Sequence, residues 1–92
     1  MIVGWVKVCV APEIFESRYD EGLQAREKQY LAGLQRSGEL SLSCLLADQS
    51  AAFVIYDVQS LKEATELVEN QPAVRAGLLS FELHEMFAVT YA

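Results

Sequence analysis

The chain is poor in the residues from which disulfide frameworks and transition-metal centres are built. Its 92 residues include two cysteines and a single histidine. Two cysteines are too few for a disulfide framework, and Cys9 and Cys44 do not have the spacing of a metal site. The composition therefore predicts packing roles for both cysteines and a reducing, cytoplasmic environment.

Basic charge and long apolar runs are also scarce. Seven Lys and Arg residues stand against 13 Asp and Glu residues, which gives a net charge of −6. Nucleic acids and anionic membrane surfaces attract basic faces, so neither is an expected partner. No apolar run approaches the ~20 residues of a membrane helix. The apolar opening, 1–11, lacks a basic n-region and is interrupted by Lys7, so it is not a convincing signal peptide. A small molecule remains as the expected ligand.

What the chain has in abundance is apolar side chains, which make up 52% of its residues. A chain this short is one domain, 1–92, and it buries only about 60% of the surface that its unfolded form exposes. Part of the apolar surface is then expected to face another subunit, which predicts a homodimer or a higher ring.

The hydrophobic pattern predicts the element order β-α-β-β-α-β. Strands are expected at 2–10, 40–46, 51–58 and 78–89, a main helix up to Ser37, and a second helix from the capping box at Ser60 to about Asn70. The segment 13–20 is either a helical lead-in or a loop. This order is typical of the ferredoxin-like α+β fold, with a four-stranded antiparallel sheet and two helices on one face. Because the strands are apolar on both faces, two such sheets are expected to pack face to face.

One acidic residue lies inside the apolar stripe of the main helix. At about 100° per residue, Tyr19, Leu23, Tyr30, Leu31 and Leu34 share one side, and Glu27 falls among them. A buried carboxylate costs desolvation energy unless something offsets it. Glu27 either turns to solvent or to a basic partner, or it works in a dry pocket, where burial would raise its pKa.

Two segments resemble known families. Ala25-Arg26-Glu27-Lys28-x-Tyr30, Leu34-Gln35-Arg36-x-Gly38 and Tyr56-Asp57-Val58-x-Ser60 resemble the muconolactone isomerases, which are small dimeric α+β barrel proteins. The run from Glu69 to Leu78, Glu-Asn-Gln-Pro-Ala-Val-Arg-Ala-Gly-Leu, resembles the YCII-related branch of the same superfamily. Together the resemblances cover about two thirds of the chain, and they imply the dimeric α+β barrel fold.

The resemblance also implies a site. In muconolactone isomerases the acidic residue at the position of Glu27 is the proposed proton shuttle. In YCII-related proteins a histidine near that position pairs with an aspartate after the second strand, and here Glu27 and Asp48 occupy the two places. A cofactor-free proton transfer also needs a hydrogen-bonding or positive group near the developing oxyanion, which Lys7, Tyr19 or Tyr30 could supply.

The departures from the isomerase pattern keep a second hypothesis open. Cys44-Leu45 and Ala52 stand where the isomerases carry an aromatic-Arg pair and an Asn. The retained Glu27 favours an acid/base isomerase or lyase acting on a small cyclic or carbonyl compound. The missing Arg and Asn favour a non-enzymatic ligand-binding or structural oligomeric domain. His84, alone among residues that are not ligands, is expected at a sheet edge or subunit contact.

Overall fold

A computed structural model describes residues 1–91, which form one antiparallel sheet and four helices. In chain order the elements are β1 (Ile2–Val8), α1 (Pro12–Arg18), α2 (Glu21–Ser37), β2 (Leu40–Leu45), β3 (Ala51–Tyr56), α3 (Leu61–Glu69), α4 (Pro72–Arg75) and β4 (Leu79–Glu85). The strand order is β2-β3-β1-β4, and every neighbouring pair is antiparallel. The predicted ferredoxin-like α+β fold is confirmed.

The helix ends follow from local capping chemistry. The Asp20 side chain accepts a hydrogen bond of 2.9 Å from the amide of Leu23 and begins α2, and Gly38 ends it at φ 83°. Ser60 Oγ accepts from the amide of Glu63 at 3.2 Å and begins α3. The second bond of that cap goes from the amide of Gln59 to Glu63 Oε2, at 3.3 Å. A capping box would place this bond on the amide of Ser60, so the return bond is displaced by one residue.

The segment that the sequence leaves open is a separate helix. α1 ends where the backbone of Tyr19 turns to ψ 62° and that of Asp20 to ψ 177°. Tyr19 therefore lies at the end of α1, and its predicted place on the stripe of the main helix is wrong. Because of this break, α1 and α2 are separate helices, and α1 runs in its own direction over the sheet.

All four strands are shorter than predicted, β2 by one residue and β3 by two. β1 ends at Val8 and not at Val10, and β4 ends at Glu85 and not at Val89. The amide of Met86 still donates to the carbonyl of Met1, after which the chain leaves the sheet. Phe87, Val89 and Tyr91 in this last segment are 83%, 68% and 91% exposed.

The core lies between the helices and one face of the sheet. Ile2, Val6, Val54 and Tyr56 from this helix-covered face pack with the apolar side of α2 and α3. Gly4 lies among them, and a Cβ on it would come within 2.7 Å of Val54 Cγ2. Glycine is thus the residue that lets β1 approach its neighbours here.

The opposite face, which we call the open face, has no helix on it. The register places Val3 and Trp5 there beside Ile55 and Phe53, with Lys7 nearer one end. Phe53 is 38% exposed and Leu42, on β2, is 46% exposed. Apolar side chains of β1, β2 and β3 thus lie on the open face, whereas β4 places Ser80, Glu82 and His84 there, and in the single chain no helix covers this face.

Within residues 1–91 no helix combines the length and apolar character needed to cross a membrane. The same residues contain no group of three or more His, Cys, Asp or Glu side chains that could hold a metal ion. Cys9 and Cys44 are both free and exposed.

Candidate functional site

A cavity of about 460 Å³ lies on the helix-covered face, at the end of the sheet near the β2–β3 hairpin. Its floor comes from alternate residues of the strands, including Val6, Val8, Ala52 and Leu79. α1 forms one wall and the hairpin turn forms another. This size and apolar lining are typical of sites for small organic molecules.

The wall from α1 is aromatic. Phe15 and Tyr19 are four residues apart, and their ring centroids lie 4.9 Å apart at an interplanar angle of 31°. Both line the cavity. Burial, and next the nearby charge of Glu27, raise the pKa of Tyr19 above its ordinary value of 10.0. At neutral pH its phenol therefore keeps its proton and can donate a hydrogen bond.

The hairpin wall is polar. Asp48 Oδ1 accepts hydrogen bonds from Ser50 Oγ at 2.6 Å and from the amide of Ser50 at 3.0 Å. These bonds lower the pKa of Asp48 below its usual range, so its carboxylate stays ionised. Gln49 between them has a positive φ of 63°, which fits a tight turn. Asp48 lines the cavity and also has the ordinary role of a turn residue.

Glu27 is buried, with 5% of its surface exposed, but it does not line this cavity. Its Oε2 accepts a 3.0 Å hydrogen bond from the amide of Ala73, 46 residues away in α4. Its Oε1 is buried and no donor meets hydrogen-bond geometry with it, although the buried side chain of Gln71 lies near enough to lower the pKa of Glu27. A buried carboxylate oxygen without a partner is rare and calls for an explanation, either as a proton site or as stored strain.

The environment of Glu27 favours its protonated form. Burial raises its pKa above the ordinary 4.5, while the side chain of Gln71 and the amide of Ala73 lower it. The charge of Glu27 in turn contributes to the raised pKa values of Tyr19, Tyr30 and Tyr56. Burial is the largest cause for Tyr56, whose pKa is raised to about 12. The charge of Glu27 thus acts in the same direction on the pKa values of three tyrosines.

Tyr30 and Lys7 lie away from the cavity. The hydroxyl of Tyr30 donates to the carbonyl of Leu67 at 2.5 Å and so joins α2 to α3. Lys7 is exposed on the open face, because it alternates with Val6 and Val8, which line the cavity from the other side. The structure therefore places Tyr19 and Asp48 at the cavity, Glu27 outside it on the amide of Ala73, and the other two predicted residues elsewhere.

Sequence reasoning missed Phe15, Gln49 and Ser50 as cavity residues. The spacing of Phe15 and Tyr19 is a usable signal, since residues four apart share one side of a helix. It required knowing that 12–18 is a helix of its own. Nothing in the sequence points to the cavity role of Gln49 and Ser50, which depends on how the hairpin bends over the strands.

No family model matches this chain, and no curated protein matches it. Among solved structures, it is similar to the 5-chloro-2-hydroxyhydroquinone dehydrochlorinase TftG from Burkholderia phenoliruptrix, in complex with 2,5-dihydroxybenzoquinone. The TM-score is 0.70 at 22% identity, and the match covers 95% of this chain and 94% of that one. At this identity the likeness establishes the shared fold.

Proposed function

We propose that the chain is an acid/base enzyme, an isomerase or lyase related to the muconolactone isomerases, that acts on a small planar ring compound. The observation that carries the proposal is the apolar cavity with its aromatic wall. A flat ring can stack on the wall formed by Phe15 and Tyr19. The ligand of TftG, 2,5-dihydroxybenzoquinone, is a compound of this shape.

Three residues have roles in the proposed proton transfer. Removing a proton next to a carbonyl leaves negative charge on the carbonyl oxygen, and a hydrogen-bond donor stabilises that charge. The protonated Tyr19 hydroxyl is that donor. Glu27 accepts the proton on Oε1, which has no other partner, and returns it to a second carbon or to a leaving group. Asp48 binds a hydroxyl of the ring at the polar wall.

The enzyme proposal requires one movement. Glu27 reaches the ring when its side chain gives up the bond from the Ala73 amide and turns toward Tyr19. A raised pKa suits this role, because a general base is most effective when its pKa lies near the working pH.

The test is hydrogen–deuterium exchange at the carbon next to the carbonyl of 2,5-dihydroxybenzoquinone and of small cyclic ketones and lactones, followed by proton NMR. We expect enzyme-dependent exchange that Glu27→Gln abolishes and that Tyr19→Phe slows by about 100- to 1,000-fold, the cost of removing one hydrogen-bond donor to an oxyanion. Glu21→Gln, an exposed carboxyl on the same helix, is the matched control and should keep the wild-type rate. Exchange at the wild-type rate in Glu27→Gln would contradict the assignment.

The hydrogen bond between Glu27 and Ala73 favours a second function, a non-enzymatic ligand-binding domain of the YCII-related type. If Glu27 stays on the Ala73 amide, it fastens α4 to α2 and performs no chemistry. The cavity would then bind a ring compound and release it unchanged. Saturable binding of 2,5-dihydroxybenzoquinone without exchange, retained in Glu27→Gln and weakened in Phe15→Ala, would select this function.

The proposal includes a cytoplasmic homodimer in which two open faces pack together. The exposed apolar side chains Leu42 and Phe53 support it, since contiguous apolar surface marks interaction sites. Sedimentation velocity should show a dimer that Phe53→Glu converts to a monomer, while Gln29→Glu on the exposed side of α2 leaves it intact. A wild-type chain that sediments as a monomer at all concentrations would overturn the dimer.

A further inference from the structure

A second depression, of about 310 Å³, lies between α2 and α4, and we call it the arginine groove. Arg26 and Arg75 line it from the two helices, together with Asn70 and the apolar Leu23, Pro72 and Ala76. The groove brings together the two segments that stand out in the sequence, 25–38 and 69–78. None of the residues of the ring-binding cavity takes part in it.

Neither guanidinium group forms an ion pair within the described residues. Within residues 1–91 the one ion pair joins His84 to Glu82, with 3.9 Å between Nε2 and Oε1, and it involves neither Arg26 nor Arg75. No acidic residue lines the groove. Asp20, at the start of α2, keeps its charge while its Oδ1 caps the amide of Leu23, and this oxygen and Arg26 Nη1 would lie 3.5 and 3.6 Å from a Cβ on Gly22. Two of the seven basic residues of an acidic chain thus share one depression, and neither forms an ion pair there.

The backbone holds the two arginines in place. Arg26 precedes Glu27, and Arg75 follows Ala73 by two residues, so the buried bond between Glu27 and Ala73 sets the distance between their backbones. The guanidinium of Arg26 lies back along α2, where a Cβ on Gly22 would stand 3.6 Å from Nη1. Neither guanidinium donates a hydrogen bond to the described protein atoms, so their N–H groups are available to a ligand.

We propose that the arginine groove binds a small oxyanion, a carboxylate or phosphate group, between Arg26 and Arg75. A guanidinium presents parallel N–H groups that match two oxygens of a carboxylate or phosphate. The apolar floor of Leu23, Pro72 and Ala76 accommodates a short carbon chain attached to that group. An anion in this position ties α4 to α2 and thereby reinforces the bond that holds Glu27.

The test is an NMR titration of the full chain with inorganic phosphate and, separately, with succinate, at constant ionic strength because exposed charges are screened by salt. We expect saturable shifts of the Nε–H signals of Arg26 and Arg75 and of the amides of 73–77, with a millimolar dissociation constant. The anion with the lower dissociation constant shows whether the groove prefers a phosphate or a carboxylate group.

The variants Arg26→Gln and Arg75→Gln should each weaken the binding at least fivefold, and the double variant should abolish saturation. Arg36→Gln, in the last turn of the same helix, is the matched control and should bind like the wild type. Glu27 does not line the groove but holds α4 through the amide of Ala73. Glu27→Ala should therefore weaken anion binding by loosening α4, although it removes no group that contacts the anion.

Shifts that rise linearly with anion concentration, or that are as large at Arg36 as at Arg26, would overturn the proposal. If the double variant loses its native spectrum, the wild-type Nε–H signals and the single variants decide the outcome. The outcome at Arg26 and Arg75 is independent of any exchange activity in the other cavity, since neither arginine lines that cavity and binding to the groove is measured without a ring compound.

Discussion

Both faces of the sheet carry apolar side chains, but helices cover only one of them. On β3, Tyr56 faces the helices and is 1% exposed, while Phe53 faces away and is 38% exposed. Phe53 and Tyr56 are only three positions apart on β3, but they point to opposite faces because successive side chains of a strand alternate. Apolar composition alone does not say which face holds the core and the cavity.

The comparison explains why Lys7 and Glu27, both expected near one site, lie apart. Lys7 is on the open face, and Glu27 is enclosed on the helix-covered face between α2 and α4. A positive group on the open face contributes nothing to an oxyanion in the cavity. In the proposed enzyme that role passes to Tyr19, a neutral hydrogen-bond donor.

The largest expected difference between the faces concerns the two aromatic residues of β3. Tyr56→Ala should lower the free energy of unfolding by about 3–5 kcal/mol, because it empties a buried site. Phe53→Ala should cost a single chain about 1 kcal/mol, since the ring is already partly hydrated. Urea unfolding at low protein concentration measures both. A Phe53→Ala loss that grows with protein concentration would show that the open face is covered in solution.

The close packing of the helix-covered face can be broken at one glycine. Gly4→Ala should destabilise the fold by about 1–3 kcal/mol, because the new Cβ would lie 2.7 Å from Val54 Cγ2 and 3.0 Å from Leu83 Cδ2. Gly22→Ala is the control, since its Cβ would meet its nearest neighbour, Asp20 Oδ1, at 3.5 Å. Equal losses for the two variants in thermal unfolding would contradict the packing argument.

Substitutions at Glu27 test how the buried carboxylate and its hydrogen bond to Ala73 affect stability. Glu27→Ala leaves the Ala73 amide buried without an acceptor and should cost about 1–3 kcal/mol. Glu27→Gln keeps an oxygen for that amide and removes the buried charge, so it should be closer to wild type or more stable at pH 7. Chemical denaturation of the three proteins gives the order, and a Gln variant less stable than the Ala variant would refute it.

The smallest effect is a dependence of stability on pH. The pKa of Glu27 is raised above 4.5 in the folded state, so the folded chain binds this proton more tightly than the unfolded chain. Its contribution to stability therefore falls as the pH rises from about 4.5 through the folded-state pKa. The difference in unfolding free energy between wild type and Glu27→Gln, measured from pH 4 to 8, isolates this contribution. If the wild type instead becomes more stable relative to Glu27→Gln as the pH rises, the prediction is wrong.

Much of the fold follows from local sequence. The end of α2 at Gly38, the start of α3 at Ser60 and the hairpin between β2 and β3 were all predicted, because capping and turn preferences act between neighbouring residues. The 3.6-residue period of α2 also placed Glu27 on the buried side. The candidate site residues stay predictions, and the structure places Tyr19 and Asp48 at the cavity and Lys7 and Tyr30 away from it.

The sequence by itself determined the order of the strands and helices and the burial of Glu27, because both depend on periodicities that a few consecutive residues carry. Only the tertiary structure decided what Glu27 meets. Its partner is an amide 46 residues away, and the break before α2 sends Tyr19 into a cavity that Glu27 does not line. Contacts of that range depend on the register of the sheet and the direction of each helix over it.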